Sequence, residues 1–146
     1  MKVKLDIPSA AELIKRKGLG PDGHVQRFHT ANVNRRIGKY MPHLTGDLET
    51  KLKFTHGNHI VVLGPYAKYQ YYGKVMVDSV TGKGPANIPD VGYRFRKGAT
   101  LALTDRNLEY TKTFNPQAGP FWDRALVAAE GDALVADIQR YMERGR

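Results

Sequence analysis

The residues that could do chemistry in this 146-residue chain are few. Cysteine is absent, which excludes disulfides and thiolate metal sites, and serine occurs only at Ser9 and Ser79. His56 and His59 lie closest together among the histidines, but ligands three apart in a hairpin are expected to diverge, and no third ligand has a suitable spacing. We therefore expect no hydrolase triad, no metal site and no cofactor.

Phosphate chemistry also lacks a sequence signature. Lysines follow glycines at Lys39, Lys74 and Lys83, but none has the glycine spacing of a phosphate-binding loop, and a dinucleotide fingerprint is missing. The Tyr, His, Arg and Lys residues that a small basic ribonuclease would use are present, as in most basic proteins, and no spacing singles them out. The sequence predicts a protein that is not an enzyme.

Two short aromatic blocks are the most informative feature of the chain. Residues 64–74 read Gly-Pro-Tyr-Ala-Lys-Tyr-Gln-Tyr-Tyr-Gly-Lys, and residues 118–122 read Ala-Gly-Pro-Phe-Trp. Together they hold six of the fourteen aromatic residues. Neither block carries a nucleophile–base pair, so both indicate packing and contact chemistry.

The tyrosines of the first block have three interpretations that the residues alone leave open. At helical spacing, Tyr66, Tyr69 and Tyr72 would pack under a sheet while Tyr71 faces water. The same tyrosines could stack on single-stranded nucleic acid. They could also form an oligomer interface, where Tyr and Trp are enriched. Trp122 begins an apolar helix stripe and is predicted to anchor the core.

The chain is strongly basic, with a formal net charge of +9, of which +6 lies in residues 1–40. A basic face can bind nucleic acid through phosphate contacts. It can equally be solvated, or dock on an acidic ring of protein. The N-terminus lacks the apolar core of a signal peptide, and no apolar run approaches the roughly 20 residues that span a bilayer. We expect a soluble protein made in a cytoplasm.

Capping signals and periodicity predict the elements that position these residues. Ser9 and Glu12 form a capping box that opens a short helix ending near Gly18. A second helix, over about 21–40 with Pro21 at its first position, must end near Met41 because Pro42 follows. The remaining predictions are strands over 49–55, 59–63, 100–103 and 108–111, the last two around a turn at 105–107. A short helix or a strand extension is predicted from Pro65 to Gly73, and a last helix over 120–144. The strand over 59–63 is almost continuously apolar, which predicts burial on both faces.

The stretch 76–100 is rich in glycine and proline, which predicts an irregular loop that orders against partners. Its candidate contact residues are Lys83, Tyr93, Arg94, Arg96 and Lys97. We therefore predict a single domain over residues 1–146, with a helical basic region at 1–41. The predicted fold is α+β: a small antiparallel sheet of about four strands, packed with two N-terminal helices and one long C-terminal helix.

Three blocks in a fixed order resemble the phage minor capsid protein family. They are the Pro-Tyr-Ala-x-Tyr-x-Tyr-Tyr-Gly-Lys block at residues 65–74, Leu-x-Tyr-Thr-Lys at 108–112 and Ala-Gly-Pro-x-Trp at 118–122. Members of that family are small head–tail neck, or tail-completion, components of long-tailed phages of Gram-positive hosts. The resemblance runs from about Tyr40 to the C-terminus.

The resemblance implies a non-enzymatic structural protein of the virion, located at the head–tail junction and made in the host cytoplasm. It implies a ring of sixfold or twelvefold symmetry that contacts other neck, connector or tail proteins. The motif residues that it marks as core or interface anchors are Pro65, Tyr66, Tyr69, Tyr72, Gly73, Tyr110, Gly119, Pro120 and Trp122. The alternative is a small basic nucleic-acid-binding protein; within the structural role, contact with nucleic acid would be non-specific and no membrane is involved.

Overall fold

A computed structural model describes residues 4, 6–43, 51, 53–64 and 66–145 of the chain. The described part contains four α-helices and six β-strands, a mixed arrangement consistent with the α+β prediction. In chain order they are α1 (Ala10–Arg16), α2 (His24–Ile37), β1 (Lys53–His56), β2 (His59–Val62), α3 (Ala67–Tyr72), β3 (Lys74–Asp78), β4 (Ala86–Ile88), β5 (Gly92–Arg94), β6 (Leu101–Asn107) and α4 (Trp122–Arg144). A 3-10 turn, Gly38–Tyr40, directly follows α2. Pro65 and three residues of the first predicted strand, at positions 49, 50 and 52, lie outside the described residues.

The six strands form three separate antiparallel pairs, β1–β2, β3–β6 and β4–β5, so the prediction of one sheet of about four strands is wrong. The chain leaves β2 through Gly64, whose φ is 115°, and enters β3 from Gly73, whose φ is 69°. Both are angles that L-residues rarely adopt, and α3 lies between the two bends. Because of this detour, β3 pairs with β6 rather than with β2.

β6 is one continuous strand, where the sequence predicted two strands around a turn at 105–107. Its pairing with β3 continues through that segment as far as Lys74 opposite Asn107, after a register shift between Lys74 and Met76. The polar residues of this segment are typical of a turn. They fit in a strand because this end of β6 is exposed. Residues 108–111, predicted as a strand, are outside any strand.

The stretch 76–100, predicted to be an irregular loop, contains the end of β3 and the hairpin β4–β5. The hairpin turn includes Asp90, which adopts a left-handed φ of 63°. Its base is held by the buried carboxylate of Asp78, which accepts from the Arg96 guanidinium and from the N–H of Val80. The Arg96 hydrogen bond lowers the pKa of Asp78. The prediction missed this order because Asp78 and its partner lie 18 residues apart.

The β1–β2 ribbon is covered on one face only, which corrects the prediction that the second strand is buried on both. Ile60 and Val62 are partly buried on the side that contacts α2. Phe54 and Val61 are paired directly on the opposite side, and both are exposed. Burial of both faces would require a second layer, as in parallel sheets covered by helices.

The first two helices start as local signals specify, with one shift. The Ser9 hydroxyl accepts from the N–H of Glu12 at 3.3 Å, and the Glu12 carboxylate accepts from the N–H of Ser9 at 2.8 Å. This is the predicted capping box. α2 begins at His24 rather than at Pro21, because the chain first makes a tight turn over residues 20–23, closed by a backbone hydrogen bond of 2.9 Å.

The hydrophobic core lies between α2, its 3-10 turn and α4. Its members are Ile37, Tyr40, Met41, Trp122, Leu126 and Leu134. Trp122 is 5% exposed, as expected of a core anchor. Val62 of β2 and Tyr71 of α3 pack against the edge of this cluster, so helices supply the core on which the small strand pairs rest.

A polar network crosses the same α2–α4 interface. Arg36 donates to Glu130 at 2.7 Å and to Asp137 at 2.6 Å. The Tyr40 hydroxyl donates to Glu130 at 2.6 Å, and this bond is the main cause that lowers the pKa of Glu130 to about 2. The buried Asn32 amide donates to Asp137 at 2.8 Å and is the main cause of a depressed pKa there as well. Folding therefore favours the ionised form of both carboxylates.

Replacing Trp122 with alanine should lower the free energy of unfolding by about 3–5 kcal/mol, as large-to-small core substitutions do. The measurement is urea unfolding followed by circular dichroism. Val80→Ala, at one of the most exposed apolar positions, should stay within about 0.5 kcal/mol of the wild type. If Trp122→Ala left the free energy of unfolding nearly unchanged, the indole would not be a core anchor.

Acid should destabilise the protein through Glu130 and Asp137. Above about pH 4.5 both carboxylates are ionised in the folded and the unfolded chain, so their contribution to stability is constant. Between about pH 4.5 and about pH 2 the unfolded chain takes up protons first, and the melting temperature should fall. Glu130→Gln should flatten this acid limb. Glu143→Gln, at an exposed carboxylate of the same helix, should retain it, and equal curves for the two variants would contradict the assignment.

Candidate functional site: the aromatic junction

The three sequence blocks meet at one place. We call it the aromatic junction and define it as residues 66–73, 108–110 and 118–123. The N–H of Phe121 donates to the carbonyl of Tyr71 at 2.8 Å, which joins the last block to the first. The N–H of Leu108 donates to the carbonyl of Gly73 at 2.9 Å, which joins the middle block to the first. Backbone hydrogen bonds thus connect segments that are far apart in sequence.

Position 73 lies where residues of all three blocks come closest. Gly73 ends α3 in the left-handed conformation and is buried. A Cβ atom there would lie 3.0 Å from Cβ of Pro120 and 3.1 Å from the hydroxyl oxygen of Tyr110. That hydroxyl donates to the carbonyl of Gln70, and burial raises the pKa of Tyr110. Both the backbone angle and the available space therefore require glycine.

Tyr71, rather than Tyr72, is the inward-facing tyrosine at the end of α3. Its ring makes edge-to-face contacts with Trp122, at a centroid distance of 5.0 Å, and with Phe121, at 5.2 Å. Its hydroxyl donates to Asp123 at 2.8 Å, and this bond raises the pKa of Tyr71. Tyr72 is 46% exposed. The interpretation with Tyr72 packed and Tyr71 in water is therefore wrong, because the inner face of α3 is set by the start of α4.

Tyr66 and Tyr69 lie on another side of α3, where they line an apolar groove of about 310 Å³. The Tyr69 hydroxyl donates to the carbonyl of Leu101 at 3.3 Å, which ties α3 to β6. The Tyr66 ring lies 6.5 Å from that of Phe95. Both tyrosines are partly buried, so they serve packing and still leave an edge accessible.

The last block is hydrogen-bonded to the turn that follows α2. The N–H of Gly119 donates to the carbonyl of Tyr40 at 3.2 Å. Asn115, which the sequence analysis did not single out, donates from its amide to the carbonyls of Gly38 and Met41. In the sequence, the Asn-Pro pair that contains this residue predicts only a turn. These bonds place the start of α4 against the core.

Phe121 adopts a left-handed φ of 50° just before α4, a conformation that costs about 1–2 kcal/mol in an L-residue. Its ring contacts Tyr71 and Tyr72 edge-on, and the Arg124 guanidinium lies 4.8 Å from the ring centroid. The strained residue is thus enclosed by aromatic and cationic contacts. Pro120, beside it, is exposed apart from its contact with Gly73.

The candidate contact residues in the stretch 76–100 divide into two groups. Lys83, Tyr93, Arg94 and Lys97 are exposed on and beside the β4–β5 hairpin. Arg96 is instead bound to the buried Asp78 carboxylate and closes the base of the hairpin. Arg96 thus has a structural role, but its side chain is still 48% exposed, so its assignment to partner contact stays a prediction.

The two neighbouring histidines do not diverge as the sequence analysis expected. His56 and His59 are directly paired across the β1–β2 turn, and paired residues of an antiparallel ladder project from the same face. Both are exposed. The part of the chain that the structure describes contains no group of three His, Asp or Glu residues that could hold a metal ion.

Comparisons with protein-family models, with curated proteins and with solved structures find no match to this chain. Among the described residues, no helix is both long and apolar enough to cross a membrane. The family resemblance therefore stays a prediction that depends on the three blocks themselves.

Replacing Gly73 with alanine should destabilise the protein more than the same change at Gly57. Both glycines have a left-handed φ, 69° and 57°, so both alanine variants incur about 1–2 kcal/mol of conformational cost. Only at position 73 does the new Cβ also meet Pro120 and Tyr110; at position 57 it meets nothing within 4 Å. Chemical unfolding of both variants measures the difference, and equal losses would show that the junction is not tightly packed.

Proposed function

We propose that this protein is a non-enzymatic structural component of the phage head–tail junction, a minor capsid or tail-completion protein of the neck. The observation that carries the proposal is the convergence of the three sequence blocks on the aromatic junction. Tyr110 bonds across 40 residues to α3, and Tyr71 bonds across 52 residues to the start of α4. The blocks form one structural unit, which gives a physical reason for their occurring together.

The chemistry of the junction suits a rigid scaffold. The hydroxyls of Tyr69, Tyr71 and Tyr110 all donate to protein oxygens in structural hydrogen bonds. The rings pack edge to face, an arrangement that contributes about 0.5–1.5 kcal/mol per pair beyond the area buried. These contacts fix the direction of α4 relative to α3, as expected of a subunit that must present its surfaces at defined angles.

The exposed surface supports assembly with other proteins. The β4–β5 hairpin contributes Ile88, Val91 and Tyr93, all apolar and exposed. The register places Ile88 and Tyr93 on opposite faces of the hairpin, so each face presents an exposed apolar side chain to a partner. We assign the hairpin to contacts with connector or tail proteins, and the subunits to a sixfold or twelvefold ring.

Inactivating the gene in its phage genome should give DNA-filled heads and complete tails that fail to join, counted by electron microscopy. The wild-type gene in trans should restore joined particles. Gly57→Ala should restore them nearly as well and Gly73→Ala poorly, because only the latter disturbs the junction. Quantitative mass spectrometry of purified particles should find the chain at a sixfold or twelvefold copy number. Infectious particles without the chain would refute the proposal.

Nucleic-acid binding is tested by titrating single-stranded DNA across a range of salt concentrations. Several cations are already paired with carboxylates, among them Arg36, Arg96 and Arg140. We therefore expect weak, sequence-independent binding of about 10⁻⁴–10⁻⁶ M at physiological salt, the non-specific range. Submicromolar binding that is lost in Tyr72→Ala or Tyr93→Ala would favour a nucleic-acid-binding protein instead.

A further inference from the structure

His56 and His59 are the last pair of opposed residues in the β1–β2 ribbon, next to its turn. The turn consists of Gly57 and Asn58, and the left-handed φ of 57° at Gly57 suits the first position of a two-residue hairpin turn. Directly opposed residues of an antiparallel pair have Cβ atoms about 4.5–5.5 Å apart. The hairpin therefore brings two metal-ligating side chains together at one end of the ribbon.

The two histidines lie on the outer face of the ribbon, away from α2. Phe54 and Val61, which are opposed two residues further along the ladder, share this face and are exposed. Lys53 belongs to the other face, where its ammonium donates to the carbonyl of Asn34 in α2 at 2.7 Å. The strands of the ribbon thus place no cation on the face of the histidines, where it would repel a metal ion.

Both imidazoles are available to a ligand from solution. Both are exposed, and within the described residues neither ring has a hydrogen-bond partner. The ring of His24, by contrast, is hydrogen-bonded to the hydroxyl of Tyr141 at 3.3 Å. A neutral imidazole without a partner has one nitrogen lone pair to offer to a metal ion.

The chemistry of two imidazoles selects the class of ion. Imidazole nitrogen suits divalent transition metals such as Zn²⁺, Ni²⁺ and Cu²⁺, whereas Mg²⁺ and Ca²⁺ prefer oxygen ligands. With Zn–N bonds of about 2.0–2.1 Å, two nitrogens on a tetrahedral ion lie roughly 3.3 Å apart. Rotation of two histidine side chains on opposed positions of a ladder can reach this separation.

We propose that His56 and His59 form a chelating pair that binds one divalent transition-metal ion at the end of the β1–β2 ribbon. Water fills the remaining coordination positions, so the site needs no third protein ligand. The ion connects β1 with β2, and its binding stabilises the paired ribbon, because a ligand that binds the folded chain favours that state. The site goes beyond the proposed function, since it depends only on the register of the ribbon.

Titration calorimetry of Zn²⁺ into the untagged full-length chain tests the site. We expect one ion per chain, tighter binding of Cu²⁺ than of Zn²⁺, and no binding of Mg²⁺. His56→Asn or His59→Asn should weaken Zn²⁺ binding about hundredfold, the lower end of the gain from linking two ligands. His24→Asn is the matched control: it also leaves four histidines but retains the pair, so its affinity should equal that of the wild type.

Moving the pair along the ribbon separates chelation from any other role of these positions. In a chain with His56→Asn and His59→Asn, the further changes Phe54→His and Val61→His rebuild an opposed pair on the same face. Zn²⁺ affinity should return to within about tenfold of the wild type, because the pairing geometry is equivalent. Phe54→His alone supplies one imidazole and should stay weak. Circular dichroism checks that each variant is folded.

The melting temperature gives a second readout. Zn²⁺ in excess should raise the melting temperature of the wild type and of His24→Asn, but not that of His59→Asn. Zn²⁺ binding weaker than millimolar, or an affinity that survives the loss of either paired histidine, would overturn the proposal. A rebuilt pair that is folded but binds no better than Phe54→His alone would overturn it as well.

Discussion

The attachment of Tyr71 to the first turn of α4 is the contact on which the rest of the structure depends. Its carbonyl accepts from the N–H of Phe121, its ring packs on Trp122, and its hydroxyl donates to Asp123. Two hydrogen bonds and one ring contact thus fix both the position and the rotation of the helix start. α4 contacts α2 through its core and acidic side chains. The orientation of these two helices therefore depends on how Tyr71 holds the start of α4.

The strand pairs add little stability of their own, because an isolated two-stranded ribbon is marginal in water. Each is secured to another element by a specific bond. Lys53 of β1 donates to the carbonyl of Asn34 in α2 at 2.7 Å, and Tyr69 of α3 donates to Leu101 of β6. The β4–β5 hairpin is closed by the pairing of Asp78 with its arginine. A small helical core with attached ribbons explains why so much apolar surface remains exposed.

The features that could be predicted from sequence are those decided within one or two turns of chain. The capping box at Ser9, the short helix ended by Gly73, and the last helix from the region of Pro120 all follow from local capping and backbone preferences. The short helix is one of the two predicted interpretations, and the left-handed angle at Gly73 explains why it ends there. Local signals also placed Trp122 in the core.

The predictions that are wrong concern features that depend on residues distant in sequence. The pairing of β3 with β6 joins segments about 30 residues apart, and nothing in either segment specifies the other. The choice between Tyr71 and Tyr72 as the buried ring depends on where α4 begins, some 50 residues later. The order of the three blocks supported a resemblance, but their mutual contact could not be deduced from that order. The shared face of His56 and His59 depends on the register of their turn, which a spacing of three residues does not specify.

Two positions hold residues that are energetically unfavourable in their local backbone structure. Only one of them has compensating contacts in the described fold. Phe121 adopts a left-handed angle that L-residues avoid, yet its N–H bonds to Tyr71 and its ring is enclosed by aromatic contacts and Arg124. The cost is offset inside the chain. Gly131 weakens a long helix, and no contact within the described fold requires the missing side chain. Local rules are usually broken at sites under another constraint, and the described fold supplies such a constraint for Phe121 but not for Gly131.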